Sequence, residues 1–352
     1  IATKYLSQNE NEKAVKIYNE IIISNPKNAK AIVGKYHALV ALNKETEAET
    51  FIQELLNQEG NSTLSLVLAK SLYKIGNIKQ ALSLLSNRNY QLNKDQIEKL
   101  NIIAHSHLKQ KNKLKAIATY DEILKITPDN TVVFTQKILI METLGLYAEI
   151  LTDIKKFKSN LASDDPRINL MHAEYLAYSN RANESMDILN NYKQTSIAQN
   201  PIYKGILAKT LFMLEDYITA RPLLEKEYER LDSARTATML YNTYMRTKSP
   251  EKAIDFVKKH LLKHSENLLF LNIYAEYLFN TDRNKSINEY KKLLALDKEN
   301  GIALNNLAWI YYENKEYGEA KFYIEQALEY YPKNKNIRDT AAKIASVIKA
   351  GT

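Results

Sequence analysis

The 352-residue chain is 45% hydrophobic and 26% charged, enough apolar material for a substantial core, while only 8 Gly and 7 Pro argue against a Gly-rich β protein or a dinucleotide-binding fold. Lys and Arg number 49 against 41 Asp and Glu, a formal charge of +8 carried mostly by Lys, which disfavours dense bidentate phosphate recognition. The absence of Cys excludes disulfides, thiol catalysis and Cys-ligated metal, and no apolar run approaches the ~18 residues needed to span a bilayer.

Residues 1–6 read as the end of a first helix paired with a second over residues 14–23. The start at Ile1 and not Met leads us to expect a piece of a longer chain, with any leader upstream. From there a signature repeats: a small residue after a polar or Gly-containing turn, followed four positions on by an apolar or aromatic one. It falls at Ala14, Ala48, Ala81, Ala116, Ala148, Ser185, Ala220, Ala253, Ser286 and Ala320, at intervals of 34, 33, 35, 32, 37, 35, 33, 33 and 34 residues. The copy at Ala148 is looser, because its apolar follower, Leu151, comes only three positions on.

Individual copies differ in quality. Ala69, Leu72, Gly76, Asn77, Ala81 and Leu85 form a good one around a Gly-Asn turn, and Ala104, Ala116, Tyr120, Ile123 and Pro128 form another. The stretch 129–165 lacks a small residue in its first helix and has Gly145 near its second, so local irregularity is expected there. Pro222 should mark a first turn or a kink, and Tyr241, in place of a small residue, should splay its helix pair. The last copy is the fullest. Leu304, Leu307, Ala308 and Tyr311 make one helical stripe, Ala320, Ile324, Ala327 and Leu328 a second, and Pro332 ends it. Ala308 and Ala320 should be small because two helices cross closely there. Residues 336–349 read as a capping helix with Ile337, Ala341, Ile344 and Ile348 inward and Arg338, Lys343 and Lys349 outward.

These residues resemble the tetratricopeptide repeat family, whose unit is a 34-residue helix-turn-helix. The resemblance implies an all-α solenoid of about ten antiparallel units in a right-handed superhelix. It divides the chain into a partial unit 1–28, units 29–61, 62–96, 97–128, 129–165, 166–200, 201–233, 234–266, 267–300 and 301–334, and a cap at 335–352. It further implies that first helices line a concave groove that takes peptides or helices of other proteins. The residue after each small position is expected to reach that groove: Lys70, His105, Lys137, Glu174, Lys209, Asn242, Glu276 and Trp309. One turn further lie Tyr73, Lys109, Tyr178, Met213, Arg246, Phe279 and Tyr312. The basic N-terminal and mixed, aromatic C-terminal parts suit an extended segment with an acidic end, anchored on aromatics. The carboxylate clamp of chaperone-cofactor repeats needs Lys and Asn one turn apart. Here Leu66 precedes Lys70, Asn101 precedes His105 and Thr238 precedes Asn242, so that clamp is absent.

Chemistry is sparse. His260 and His264 stand at i, i+4 and could share a face, but no third or fourth ligand is evident in the sequence; His105 and His107 point to different sides, and His37 and His172 are isolated. Asp164 with Asp165 and Asp121 with Glu122 read as solvated charge, and nucleophile elbows, HExxH, P-loop and GxGxxG motifs are missing. Lys109, Lys111, Lys113 and Lys115 cluster at one turn without interleaved aromatics, which disfavours nucleic acid. Tyr18, Tyr120 and Tyr290 occupy inward positions. The expectation is a noncatalytic scaffold with no cofactor or metal and with protein partners, self-association among them. The run 303–309 with Ala320 and Pro332 resembles bacterial envelope repeat lipoproteins of PEP-CTERM/exosortase and exopolysaccharide systems. That resemblance implies a periplasm-facing export or polysaccharide assembly with a lipid anchor upstream. A regulatory arm of a larger enzyme such as a glycosyltransferase, or a cytoplasmic adaptor, stays open.

Overall fold

The computed structural model describes residues 1–59, 62–86 and 90–350. The boundary drawn at residue 61 and the last two residues of the cap segment lie outside them. The chain forms two compact units, Ile1–Tyr175 and Leu176–Thr352, and the described residues hold 21 α-helices, one 3-10 turn and no strand.

In the first unit the helices run in hairpins: α1 (Ala2–Ser7) with α2 (Asn11–Ser24), α3 (Ala29–Ala41) with α4 (Glu45–Glu59), α5 (Ser62–Lys74) with α6 (Ile78–Leu85), α7 (Asn93–Lys109) with α8 (Lys113–Ile126), and α9 (Thr131–Glu142) with α10 (Tyr147–Lys158). α11 (Pro166–Tyr178) spans the division and is followed by α12 (Ala182–Asn190). The second unit continues with α13 (Pro201–Met213) and α14 (Tyr217–Leu231), α15 (Ala234–Arg246) and α16 (Pro250–Lys263), α17 (Leu268–Phe279) and α18 (Arg283–Leu296), α19 (Gly301–Glu313) and α20 (Tyr317–Tyr330), closed by α21 (Lys335–Ala350).

Capping residues start many of these helices. Asn28, Asn130, Asn267 and Asn300 precede first helices, and each side-chain oxygen accepts from the backbone N–H three residues on. Such caps are worth about 1 kcal/mol each. Hairpin turns share a second device. In nine of the ten, one residue takes a left-handed φ: Asn9, Asn43, Gly76, Lys111, Gly145, Asn180, Glu215, Lys248 and Lys315. The following N–H reaches back five residues, as in Glu316 N to Tyr311 O at 2.8 Å. This is the Schellman closure, which satisfies carbonyls the helix end leaves orphaned.

The turn fixes the register of the second helix, because the buried small residue lies five positions after the left-handed one. That is so for Ala14, Ala48, Ala81, Ala116, Ser185, Ala220, Ala253 and Ala320, all with no solvent exposure. Five positions after Gly145 comes Ile150, fully buried, whereas Ala148 is exposed. The fifth copy is therefore registered on Ile150 and not Ala148, and the intervals of 32 and 37 become 34 and 35. Ile138, also fully buried, stands twelve residues earlier, where the tenth hairpin has Ala308. Phe134 and Phe157 stack between α9 and α10, centroids 3.9 Å apart and planes 7° from parallel.

The ninth hairpin departs differently. Its small positions, Ala275 and Ser286, are eleven residues apart and not twelve, and no turn residue is left-handed. Asp282 N instead bonds to Leu278 O, four residues back. The crossing stays tight, since the Ser286 hydroxyl donates to the Ala275 carbonyl of the facing helix at 2.7 Å. α14 runs through Pro222 without ending. Tyr241 is half-buried, its ring edge-on to Phe270 at 6.1 Å. In α21, Ile337 and Ile344 are buried, Ala341 and Ile348 pack partly against the same core, and Arg338, Lys343 and Lys349 are exposed.

Candidate functional site

First helices of the N-terminal unit build one broad cleft. Residues of α5, α7 and α9 line an open space of about 890 Å³ that includes Lys70, Tyr73, Lys74, Lys94, Asn101 and His105. Three of the expected groove residues meet here. A fourth, Lys109, places its ammonium 4.2 Å above the Tyr73 ring, a cation–π contact that holds the aromatic face at the rim. Lys70 is paired with Glu98 across to α7, and the cleft otherwise carries only basic charge from Lys74 and Lys94. His105 donates its Nδ1–H to the Asn101 carbonyl at 2.7 Å, and its ring is edge-on to Tyr120. Lys74 was not singled out in the sequence, and Asn101 was weighed there only as a clamp residue. Each lies four residues along the same helix from an expected groove residue, Lys70 and His105, so extending the stripe by one turn would have found both.

Lys137 does not join this surface. It is 6% exposed and donates to Asp121 of α8 at 2.5 Å and Asp153 of α10 at 2.6 Å. Burial disfavours its charge, but hydrogen bonds to both carboxylates outweigh that and raise its pKa. The reason is register: α9 has no small residue to count from, and the residue after the buried Ile138 is the exposed Leu139. Glu174 is half-buried on α11.

In the C-terminal unit Lys209 is likewise 6% exposed, with Glu227 of α14 at 3.7 Å. Glu227 is itself buried and receives a bidentate pair of bonds from Arg230 at 2.9 Å. Gly205 makes room for it, since a Cβ there would lie 2.4 Å from the carboxylate. Tyr178 is flanked by the Arg235 guanidinium at 4.2 Å and the Lys209 ammonium at 5.5 Å. Met213 is half-buried, while Asn242, Arg246 and Glu276 are exposed on α15 and α17. Phe279 lies under Arg283 at 5.2 Å, and Arg283 bonds to Glu313. Trp309 and Tyr312 form an aromatic pair 5.3 Å apart, and Lys343 of α21 places its ammonium 4.7 Å over the indole. Beside it, Asn300, Asn305, Asn306, Asn334 and Asn336 line an amide-rich cleft of about 370 Å³ in which the Asn305 Oδ1 is buried without a hydrogen-bond partner.

No helix among the described residues is long and apolar enough to cross a membrane. Residues 301–334 and 100–130 each match a tetratricopeptide repeat model. A 130-residue stretch is 30% identical to the DnaJ homolog subfamily C member 7 homolog of Schizosaccharomyces pombe, spanning 37% of this chain and 22% of that relative. Among solved structures, the P58(IPK) TPR domain aligns over 100% of this chain and 97% of its own at 15% identity and a TM-score of 0.33. The C-terminal part of a TPR repeat-containing protein from Cytophaga hutchinsonii aligns over 68% and 98% at 15% identity and a TM-score of 0.45.

Proposed function

Because the chain is a tetratricopeptide-repeat protein, we propose that it is a noncatalytic scaffold whose first helices hold an acidic segment of another protein. The cleft of α5, α7 and α9 carries this reading. It is open, about 890 Å³, lined with Lys74 and Lys94, and rimmed by Tyr73 under Lys109. Cationic side chains there steer an acidic partner and fix its register, and the aromatic supplies a low-entropy anchor. The resemblance of residues 303–309, Ala320 and Pro332 to envelope repeat proteins supports a place in a bacterial envelope assembly for protein or exopolysaccharide export.

Labelled Asp/Glu-rich peptides of about ten residues, with and without an aromatic residue, test this by fluorescence polarisation. Lys74→Glu/Lys94→Glu should weaken binding by about tenfold or more, and rising salt should weaken wild type alone. Equal binding by wild type and variant sinks the assignment of the cleft. Fractionation of cells producing the tagged full-length protein checks its place in the envelope.

A further inference from the structure

Seven residues after each second-helix crossing position, most hairpins have an apolar side chain: Ile21, Ile123, Phe157, Leu293 and Ala327. In α16 the same place is taken by His260, 2% exposed and walled by Phe256 and Phe270. One turn on is His264, its ring centroid 4.5 Å from that of His260. The end of α14 brings a third group to them. Asp232 takes a left-handed φ of 47° there, and its carboxylate turns toward the two imidazoles. One ligand-capable atom from each of Asp232, His260 and His264 lies within 4.8 Å of the others.

We propose that Asp232, His260 and His264 bind one divalent transition-metal ion, zinc being the best match. Two imidazoles and a carboxylate are a zinc donor set, and tetrahedral ligands at about 2.0–2.1 Å from the ion sit about 3.3 Å apart. The His264 Nε2 and Asp232 Oδ1 atoms already stand 3.0 Å apart. Both atoms are shielded from solvent and lack a hydrogen bond of good angle, so an ion can take the place of the proton that would otherwise bridge them. His260 has support on both sides. The Tyr228 hydroxyl lies 2.7 Å from its Nδ1 and the Asn267 amide 3.1 Å from its Nε2. With the ion on Nε2, in place of the Asn267 amide, Nδ1–H donates to the Tyr228 hydroxyl, the orienting bond that metal-ligating histidines use. The cleft outside them, about 420 Å³, admits the water that completes a fourth position. The nearest competing cation is the exposed Lys263 ammonium, 3.9 Å from Asp232 Oδ2, on a side chain free to swing away.

The test is a titration of chelator-stripped protein with Zn2+ alone, followed by calorimetry, and with Co2+ alone, followed by visible absorption. Wild type should take up one equivalent, show the intense bands of tetrahedral Co2+ and gain thermal stability with added Zn2+. His264→Ala and Asp232→Asn should each lower affinity at least tenfold and abolish those bands; Asn keeps the left-handed backbone accessible, and matching circular dichroism confirms that both variants fold. His107→Ala should bind as wild type does. Failure to saturate at one equivalent, or unchanged affinity in either the His264 or the Asp232 variant, overturns the proposal.

Discussion

The tenth hairpin and the fifth occupy the same 34-residue pattern with opposite materials. Between α19 and α20, the two crossing positions are Ala308 and Ala320, both fully buried in one core cluster. Between α9 and α10, the equivalent positions are Ile138 and Ile150, both fully buried, with a flat Phe134–Phe157 stack and the ion trio of Lys137, Asp121 and Asp153 alongside. Both hairpins share the turn: a left-handed residue, Lys315 or Gly145, with the crossing residue five positions later. Register is thus set by how the turn closes its carbonyls, and residue size by how near the helices then pass.

Substitutions can break this comparison, beginning with the largest effect. Ile150→Ala should cost about 2–5 kcal/mol by opening a cavity in a site that is not built for a small residue. Ala320→Leu should cost about 1–3 kcal/mol by overpacking, with hydrogen-exchange protection falling first in α19, α20 and α21. Urea unfolding midpoints measure both, and a neutral Ile150→Ala would restore the small-residue rule to the fifth hairpin. Lys315→Gly should raise stability by about 1 kcal/mol, because it relieves a side chain held at φ 66°. At the exposed Ala148, Leu should change stability by no more than about 0.5 kcal/mol, which checks the corrected register directly.

A smaller pH effect comes from His37 in α3. Burial lowers its pKa, and its Nε2 is buried without a hydrogen bond. The unfolded chain takes up this proton near pH 6.5, while the folded chain does not until lower pH. Stability should therefore fall as pH drops below about 6.5 and level off below the folded value. His37→Gln should flatten that slope in melts at pH 7.5 and 5.5.

Nine of the ten recurrent small residues read from the sequence have no solvent exposure, because nothing else fits at a close helix crossing. Ala148 misled because composition offers an Ala nearby, and only the turn shows which residue is five positions past it. The shortened ninth turn left no trace, since Ala253 and Ser286 remain 33 residues apart. In the candidate cleft, Lys70, Tyr73 and His105, which the family resemblance placed on the groove, share one lining, with Lys109 over Tyr73. The burial of Lys209 was not legible, although its register was right, because Glu227 on the neighbouring helix captures it. Glu227 and His260 stand out in a mostly apolar column, a signal present in the sequence that spacing arguments pass over. Asp232 could not be foreseen, because its aim depends on a left-handed backbone at a helix end.

The ninth turn, one residue short, shows how this chain can tolerate editing. Deleting a residue inside a helix rotates everything downstream by about 100°, which would turn a core face to water. Here the loss falls in a turn, which gives up its five-residue closure for a four-residue one and hands on the phase intact to Ser286. Since each hairpin senses only its neighbours, such a frame fault stops where it arises. Insertions and deletions at the ten turns are therefore the cheapest genetic changes open to this protein, and lineages of it should vary in length there before they vary in the helices.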